Sequence, residues 1–184
     1  MEQKEKPKSA MREVAEWVIY LLIIVALSYL IVTFVGVRTM VSGHSMEPTL
    51  HDKDQLLVDK ISYRFREPER YEIIVFPYKY EENTFYIKRI IGLPGETIQV
   101  KDGEVYIDNE LLGEEYGAET MLDPGIAADP ITLGEDEYFV LGDNRNHSAD
   151  SRKPNVGVLK REDLIGRAWI RIWPFDNMGV VVHE

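Results

Sequence analysis

Val41-Ser-Gly-His-Ser-Met-Glu-Pro-Thr-Leu50 stands where the chain changes texture. A long apolar run ends a few residues before it, and short β-like segments follow it. Ser45 lies in it between the small or turn-forming residues Gly43 and Pro48. A hydroxyl at neutral pH is a weak nucleophile, and most serines in such loops are solvated turn residues. A second stretch gives Ser45 more weight. In Tyr86-Ile-Lys-Arg-Ile-Ile-Gly-Leu-Pro-Gly-Glu96, Lys88 sits inside an apolar, strand-like run. A serine paired with a desolvated lysine is one way to build a nucleophile and its base.

Toward the N-terminus, Trp17 to Val37 is a run of 21 residues without a charge. As a helix it measures ~31 Å at ~1.5 Å per residue, close to the ~30 Å of a bilayer core. Trp17 and Tyr20 stand at one end, as interfacial aromatics do. A cleavable signal peptide has a shorter apolar region of roughly 7–15 residues, and a buried core helix rarely tolerates apolar residues on every face. The run is therefore expected to be a transmembrane anchor. Lys4, Lys6, Lys8 and Arg12 precede it, whereas only Arg38 and Lys53 follow closely. The positive-inside rule then puts the N-terminus in the cytoplasm. The expected layout is a cytoplasmic tail over 1–16, a single-pass anchor in the cell membrane over 17–37, and an extracytoplasmic domain over 38–184. The stretch 35–41 and the first β segments are expected to lie against the lipid.

The chain has 184 residues, enough for one ordinary domain plus an anchor. It has no cysteine, which excludes disulfides, thiolate metal sites and cysteine nucleophiles. Net charge is −11, and residues 1–37 carry four basic and four acidic side chains, so the whole −11 falls on 38–184. An acidic domain without a basic patch argues against nucleic acid as a partner.

Beyond the opening stretch the pattern is mainly β. Gln55–Val58, Glu72–Phe76, Phe85–Ile91, Thr97–Val100, Glu104–Ile107, Tyr138–Leu141 and Arg167–Trp173 are apolar or alternating runs bounded by turn residues. Asp102-Gly103 is a hairpin signal, and Asp108-Asn109 reads as a tight turn into Leu111-Leu112. Val156–Val158 is expected to be extended, Lys160–Gly166 to hold one helical turn, and Tyr63–Arg70 to be a charged loop. Residues 113–136, rich in Gly, Pro, Ala and acid, are expected to form an excursion outside the core. Many short strands and hairpins predict an all-β domain.

Ser45-Met-Glu-Pro-Thr-Leu50, then Tyr86–Glu96, then Gly142-Asp-Asn-Arg-Asn-His-Ser-Ala-Asp-Ser-Arg152 resemble, in order, the signature boxes of bacterial type I signal peptidases. Glu72-Ile-Ile-Val-Phe76 resembles the strand box between the first two. With the anchor, the resemblance covers nearly the whole chain except 113–136, and it fits the Gram-positive, single-anchor type. It implies a transmembrane helix followed by an antiparallel β-sheet catalytic domain of the signal peptidase/LexA-like type. It implies a membrane-bound serine endopeptidase that cleaves signal peptides from exported preproteins after small residues at −1 and −3. Ser45 is then the nucleophile and Lys88 the base, with no cofactor and no metal. Ser148 is expected to hydrogen-bond the Lys88 amine. Arg89, Asp143, Asp150 and Arg152 are expected to support the site. The signal peptide, the lipid bilayer and the secretion translocase are the implied partners.

The physical chemistry agrees with those roles. A lysine at its ordinary pKa of ~10.4 is charged and accepts no proton, and burial beside Tyr86, Ile87 and Ile90 disfavours the ammonium. Strand alternation sends Arg89 to the other face from Lys88. One departure concerns the oxyanion. Gram-negative relatives carry a serine two residues before the nucleophile, and this chain has Gly43. The Ser45 backbone N–H is left as donor, and Gly43→Ser is expected to be tolerated. His44 adjoins Ser45 and reads as a rim residue. His51, His147 and His183 show no ligand spacing. Two other classes compete: a LexA-like self-cleaving regulator, and a non-enzymatic membrane-anchored β-domain that binds partners. The anchor and the lack of a DNA-binding segment weigh against the first, and labelling of Ser45 by an acylating probe separates the second.

Overall fold

The computed structural model describes residues 10–30, 36–117 and 119–181. One helix, α1 (Ala10–Leu30), precedes twelve strands: β1 (Gly36–Met40), β2 (Gln55–Asp59), β3 (Ile73–Pro77), β4 (Phe85–Gly92), β5 (Thr97–Lys101), β6 (Glu104–Ile107), β7 (Glu110–Leu111), β8 (Ile131–Thr132), β9 (Glu137–Leu141), β10 (Leu159–Lys160), β11 (Gly166–Trp173) and β12 (Gly179–Val180). The larger sheet runs β1-β2-β11-β3-β4-β9-β10, with β12 beside β11, and the smaller runs β7-β6-β5-β8. Every pairing is antiparallel. The domain is mainly β, as the sequence predicts.

The strands follow from their patterns. β2 alternates and buries Leu56 and Val58. Ile73 to Phe76 in β3 are all buried, the mark of a strand covered on both faces. Ile74 and Phe76 join Ile90 and Val140 in one core cluster, whereas Ile73 faces a second one with Val41, Met46, Leu50, Leu56 and Ala168. A third cluster, with Ile91, Ile98, Val105 and Phe139, fills the space at the smaller sheet. Asp102 and Gly103 have φ of 55° and 81°, and Asp108 and Asn109 of 51° and 69°. Two consecutive positive φ angles let each two-residue turn match the twist of its hairpin.

Four expectations differ from the structure. The uncharged run was expected to be helical over 17–37, but Gly36 and Val37 belong to β1, and 31–35 lie outside the described residues. The described helix is Ala10–Leu30, and its first turns carry Arg12, Glu13 and Glu16. Among the described residues no helix is long and apolar enough to cross a membrane. Second, the 113–136 excursion contributes to the core: Met121, Ala127 and Leu133 are buried in the third cluster, and β8 pairs with β5. Single apolar residues spaced among glycines and acids carry no periodicity, so their burial left no pattern to read. Third, Val156 sits in a turn and pairing resumes only at Leu159, because Gly157 has φ of 63°. Fourth, the charged loop 63–70 opens with a short 3-10 turn at Ser62–Arg64 and buries Tyr63, whose hydroxyl donates to Glu72 Oε2 at 3.0 Å. The helical turn expected within 160–166 is a 3-10 turn at Arg161–Asp163.

Candidate active site

The loop between β1 and β2 carries Ser45, and its apolar residues fix it. Val41, Met46 and Leu50 are buried, while Ser45 between them is half-exposed. Val41 and Asp54 close the base of the loop, the Val41 N–H donating to Asp54 O at 2.8 Å. Gly43 has φ of +93°, and its N–H donates to Asp52 Oδ1 at 2.9 Å. This overturns the expectation that serine is tolerated there: the space is open, but the backbone conformation is one that L residues rarely adopt. The Gly43 N–H is also committed to Asp52.

Lys88 comes from the middle of β4, three strands away from β2 in the sheet order. It is 3% exposed. Its Nζ lies 2.8 Å from Ser45 Oγ and 2.8 Å from Ile87 O, and 5.2 Å from the centre of the Tyr86 ring. Burial lowers the amine from 10.5 to about 8, although Asp150 and Asp143 act in the opposite direction. Desolvation wins because among the described residues no carboxylate pairs with the amine, and a distant charge offsets only part of the lost hydration. Ser45 and Lys88 both line a cleft of about 310 Å³ that also takes in Met40, Phe85, Tyr86 and Ile87.

Arg89, next in sequence, turns to the other side. It is fully buried, with Nε 2.9 Å from Asp143 Oδ1 and an Nη 2.6 Å from Asp143 Oδ2. Its other Nη donates to Tyr71 O at 2.9 Å, and the guanidinium lies 3.7 Å from the centre of the Tyr116 ring. Thr49 Oγ1 donates to Asp143 Oδ2 at 2.5 Å, so this buried pair ties the serine loop to β4 and to the 142–152 loop. Asp150 and Arg152 form a second buried pair, Nε to Oδ1 at 2.9 Å, and Asp150 Oδ2 also accepts the Gly142 N–H at 3.1 Å.

The expected hydrogen bond from Ser148 to Lys88 is not formed. Among the described residues Ser148 Oγ is buried without a hydrogen-bond partner, and the Lys88 amine is directed at Ser45 Oγ and Ile87 O. Ser148 instead packs on Gly142. A Cβ at Gly142 would stand 2.3 Å from Ser148 Oγ and 2.5 Å from Ser45 O, so only glycine lets the loop approach the serine this closely.

Several contributing residues escaped the sequence reading. Arg145 is buried against Glu114, with an Nη 2.8 Å from Glu114 Oε2, and donates from Nε to Gly142 O at 3.0 Å. Asn144 donates to two carbonyls of the serine loop. An asparagine in a polar loop and a glutamate 31 positions away carry no signal of such contacts. His44 lines the cleft with its Nδ1 2.9 Å from Glu47 Oε1, which raises its pKa. No group of three or more His, Asp or Glu side chains able to hold a metal occurs among the described residues.

A mainly β domain with a serine hydroxyl and a desolvated amine in one cleft has the make-up of a serine-type hydrolase. The family model described as "Signal peptidase, peptidase S26" matches residues 14–173. "Probable signal peptidase I-2" of Synechocystis sp. is 43% identical over 157 residues, covering 83% of this chain and 70% of that protein. "Signal peptidase I P" of Bacillus subtilis subsp. natto is 34% identical over 185 residues, covering 97% of this chain and 98% of that protein. A solved signal peptidase I chain from Enterococcus faecalis V583 is 35% identical, covers 55% of this chain and 97% of its own, and superposes with a TM-score of 0.46. The chain belongs to the peptidase S26 signal peptidase family, and with it to the serine endopeptidases.

Proposed function

We propose that the chain removes N-terminal signal peptides from exported preproteins after small residues at −1 and −3, through a Ser45–Lys88 dyad. Neutral Lys88 takes the proton of Ser45 Oγ as the oxygen attacks the scissile carbonyl. The protonated amine then returns that proton to the leaving amine, which leaves an acyl-enzyme. Water, deprotonated by Lys88, completes the cycle. The observation that supports this reading is the 2.8 Å separation of Lys88 Nζ and Ser45 Oγ, with the amine lowered to about 8. Arg89, Asp143, Asp150 and Arg152 hold the three segments in register. An extended substrate segment would lie along the cleft between β1 and β4, making backbone hydrogen bonds of the strand-addition kind.

The same reading places the domain at a bilayer, anchored through the uncharged run that begins at Trp17, with the N-terminus cytoplasmic and the catalytic domain extracytoplasmic. Support comes from the exposed apolar side chains along α1 and from Val37, Met40, Trp173, Phe175 and Val180 of the domain, which are also exposed. Met40 and Trp173 both stand opposite Gln55 of β2, and Phe175 follows β11 closely, so these three offer neighbouring apolar side chains to lipid. The secretion translocase is the machine from which such substrates would arrive. The test is cleavage of a purified preprotein by the chain and by Ser45→Ala. Loss of cleavage in folded Ser45→Ala is expected, and retained cleavage removes Ser45 from the reaction.

A further inference from the structure

Asn144 stands behind the serine loop, and its contacts are unusually focused. Its backbone N–H donates to Ser45 O at 3.1 Å, and its side-chain Nδ2 donates to His44 O at 3.1 Å. The flip of the amide is fixed by the His44 carbonyl, which can only accept, and Oδ1 then lies 3.2 Å from His147 Nδ1. Asn144 therefore holds the carbonyls of two consecutive peptide units, those on either side of the Ser45 Cα, and the His44 carbonyl also accepts the Glu47 N–H at 3.3 Å.

The peptide bonds 44–45 and 45–46 are trans, since the cis bonds of the described chain are at Pro48 and Pro174. In a planar trans peptide the C=O and N–H point in opposite directions. Holding His44 O toward Asn144 turns the Ser45 N–H away from it, and holding Ser45 O turns the Met46 N–H away as well. His44, Ser45 and Met46 line the cleft, whereas Asn144 does not. Among the described residues neither N–H donates to another group of the chain, while the Gly43 N–H is committed to Asp52.

We propose that Asn144 is the positioning residue of the oxyanion site: by gripping His44 O and Ser45 O it fixes both peptide planes at the nucleophile and aims the Ser45 N–H, with the Met46 N–H beside it, at the oxygen of the scissile carbonyl. This rests on the reading of Ser45 as nucleophile. It gives the chain a backbone donor pair where the hydroxyl of a serine at position 43 is missing. An N–H aimed in advance stabilises the tetrahedral oxyanion more than the ground-state carbonyl, so the effect belongs in kcat.

The test compares the wild type, Asn144→Asp, Asn144→Ala and Ser45→Ala on a preprotein, together with two peptides ending in alanine. One is an aldehyde, to whose carbon Ser45 Oγ adds while its proton passes to Lys88 Nζ, leaving an oxyanion at the site. The other is the corresponding alcohol, which forms no oxyanion. Both Asn144 variants keep the backbone N–H and lose the side-chain donor. Removal of a direct oxyanion donor lowers kcat by ~10²–10³, so removal of its positioner is expected to lower kcat ~10–100-fold with KM close to wild type. The aldehyde should weaken in proportion, the alcohol should bind unchanged, and the acid limb of the pH profile should stay in place. Wild-type kcat in the folded variants, parallel losses for aldehyde and alcohol, or a moved acid limb would each overturn the proposal. Unfolding of both variants would overturn it too, by assigning Asn144 to the fold. Cleavage that survives Ser45→Ala would instead sink the dyad reading beneath it.

Discussion

At the scale of the residue, Lys88 decides whether the cleft can act as a serine–lysine site. Its amine is lowered to about 8 chiefly by burial. Only the neutral form accepts a proton, so kcat/KM should rise about tenfold per pH unit below that value and level off above it. A profile flat through pH 8 would remove the lysine from the rate law. Arginine stays protonated at any working pH, so Lys88→Arg should be folded by circular dichroism and inactive in preprotein cleavage. The same shift has a thermodynamic side. The folded-state value lies below the ordinary 10.5, so between about 8 and 10.5 the unfolded chain holds a proton that the folded chain lacks. Stability therefore rises with pH through that window, and below it the buried ammonium costs on the order of 3 kcal/mol. Lys88→Met should melt higher than the wild type at pH 7, and the gap should close toward pH 10.5. Equal melting at both pH values would mean that the amine is not desolvated.

At the scale of the element, two segments depend on backbone conformation or burial rather than on any side-chain motif. Gly43→Ser forces a side chain onto φ of +93°, at a cost of ~1–3 kcal/mol. The serine loop should shift and cleavage should fall at least tenfold while the domain stays folded; full activity would show that the loop tolerates the strain. Leu133, 2% exposed, lies in the segment that reads as an excursion. Leu133→Ala should destabilise the domain by ~2–5 kcal/mol in urea unfolding, whereas a loop residue would change little. These two cases mark the limit of what the sequence discloses. Strands with alternating or continuous apolar runs, such as 55–59 and 73–77, were readable because burial imposes a period. The pairing of Ser45 with Lys88 was readable because neighbouring residues resemble known boxes. The sign of a φ angle at Gly43, the two carbonyls gripped by Asn144 and the Glu114–Arg145 pair depend on relative placement in space, which no local period encodes. Ser148 shows the opposite failure: the resemblance assigned it to the lysine, and the structure leaves its hydroxyl against Gly142.

At the scale of the whole molecule, the proposed topology places the domain outside and the N-terminus inside. Protease added to spheroplasts should digest the domain around 38–184 and spare the basic N-terminal tail, and a protected domain would reverse the orientation. The strand order of the larger sheet carries a further consequence. β11, residues 166–173, lies between β2 and β3 and pairs with both. The strand that follows the serine loop and the strand next to the lysine's are thus joined through a segment that comes after both in the chain. A chain stopped short of Gly166 already contains both reactive groups and the Thr49–Asp143–Arg89 tie, yet lacks the strand that joins β2 to β3. Completion of the larger sheet therefore waits for residues 166–173, and a copy lacking them should be inert toward the proteins around it.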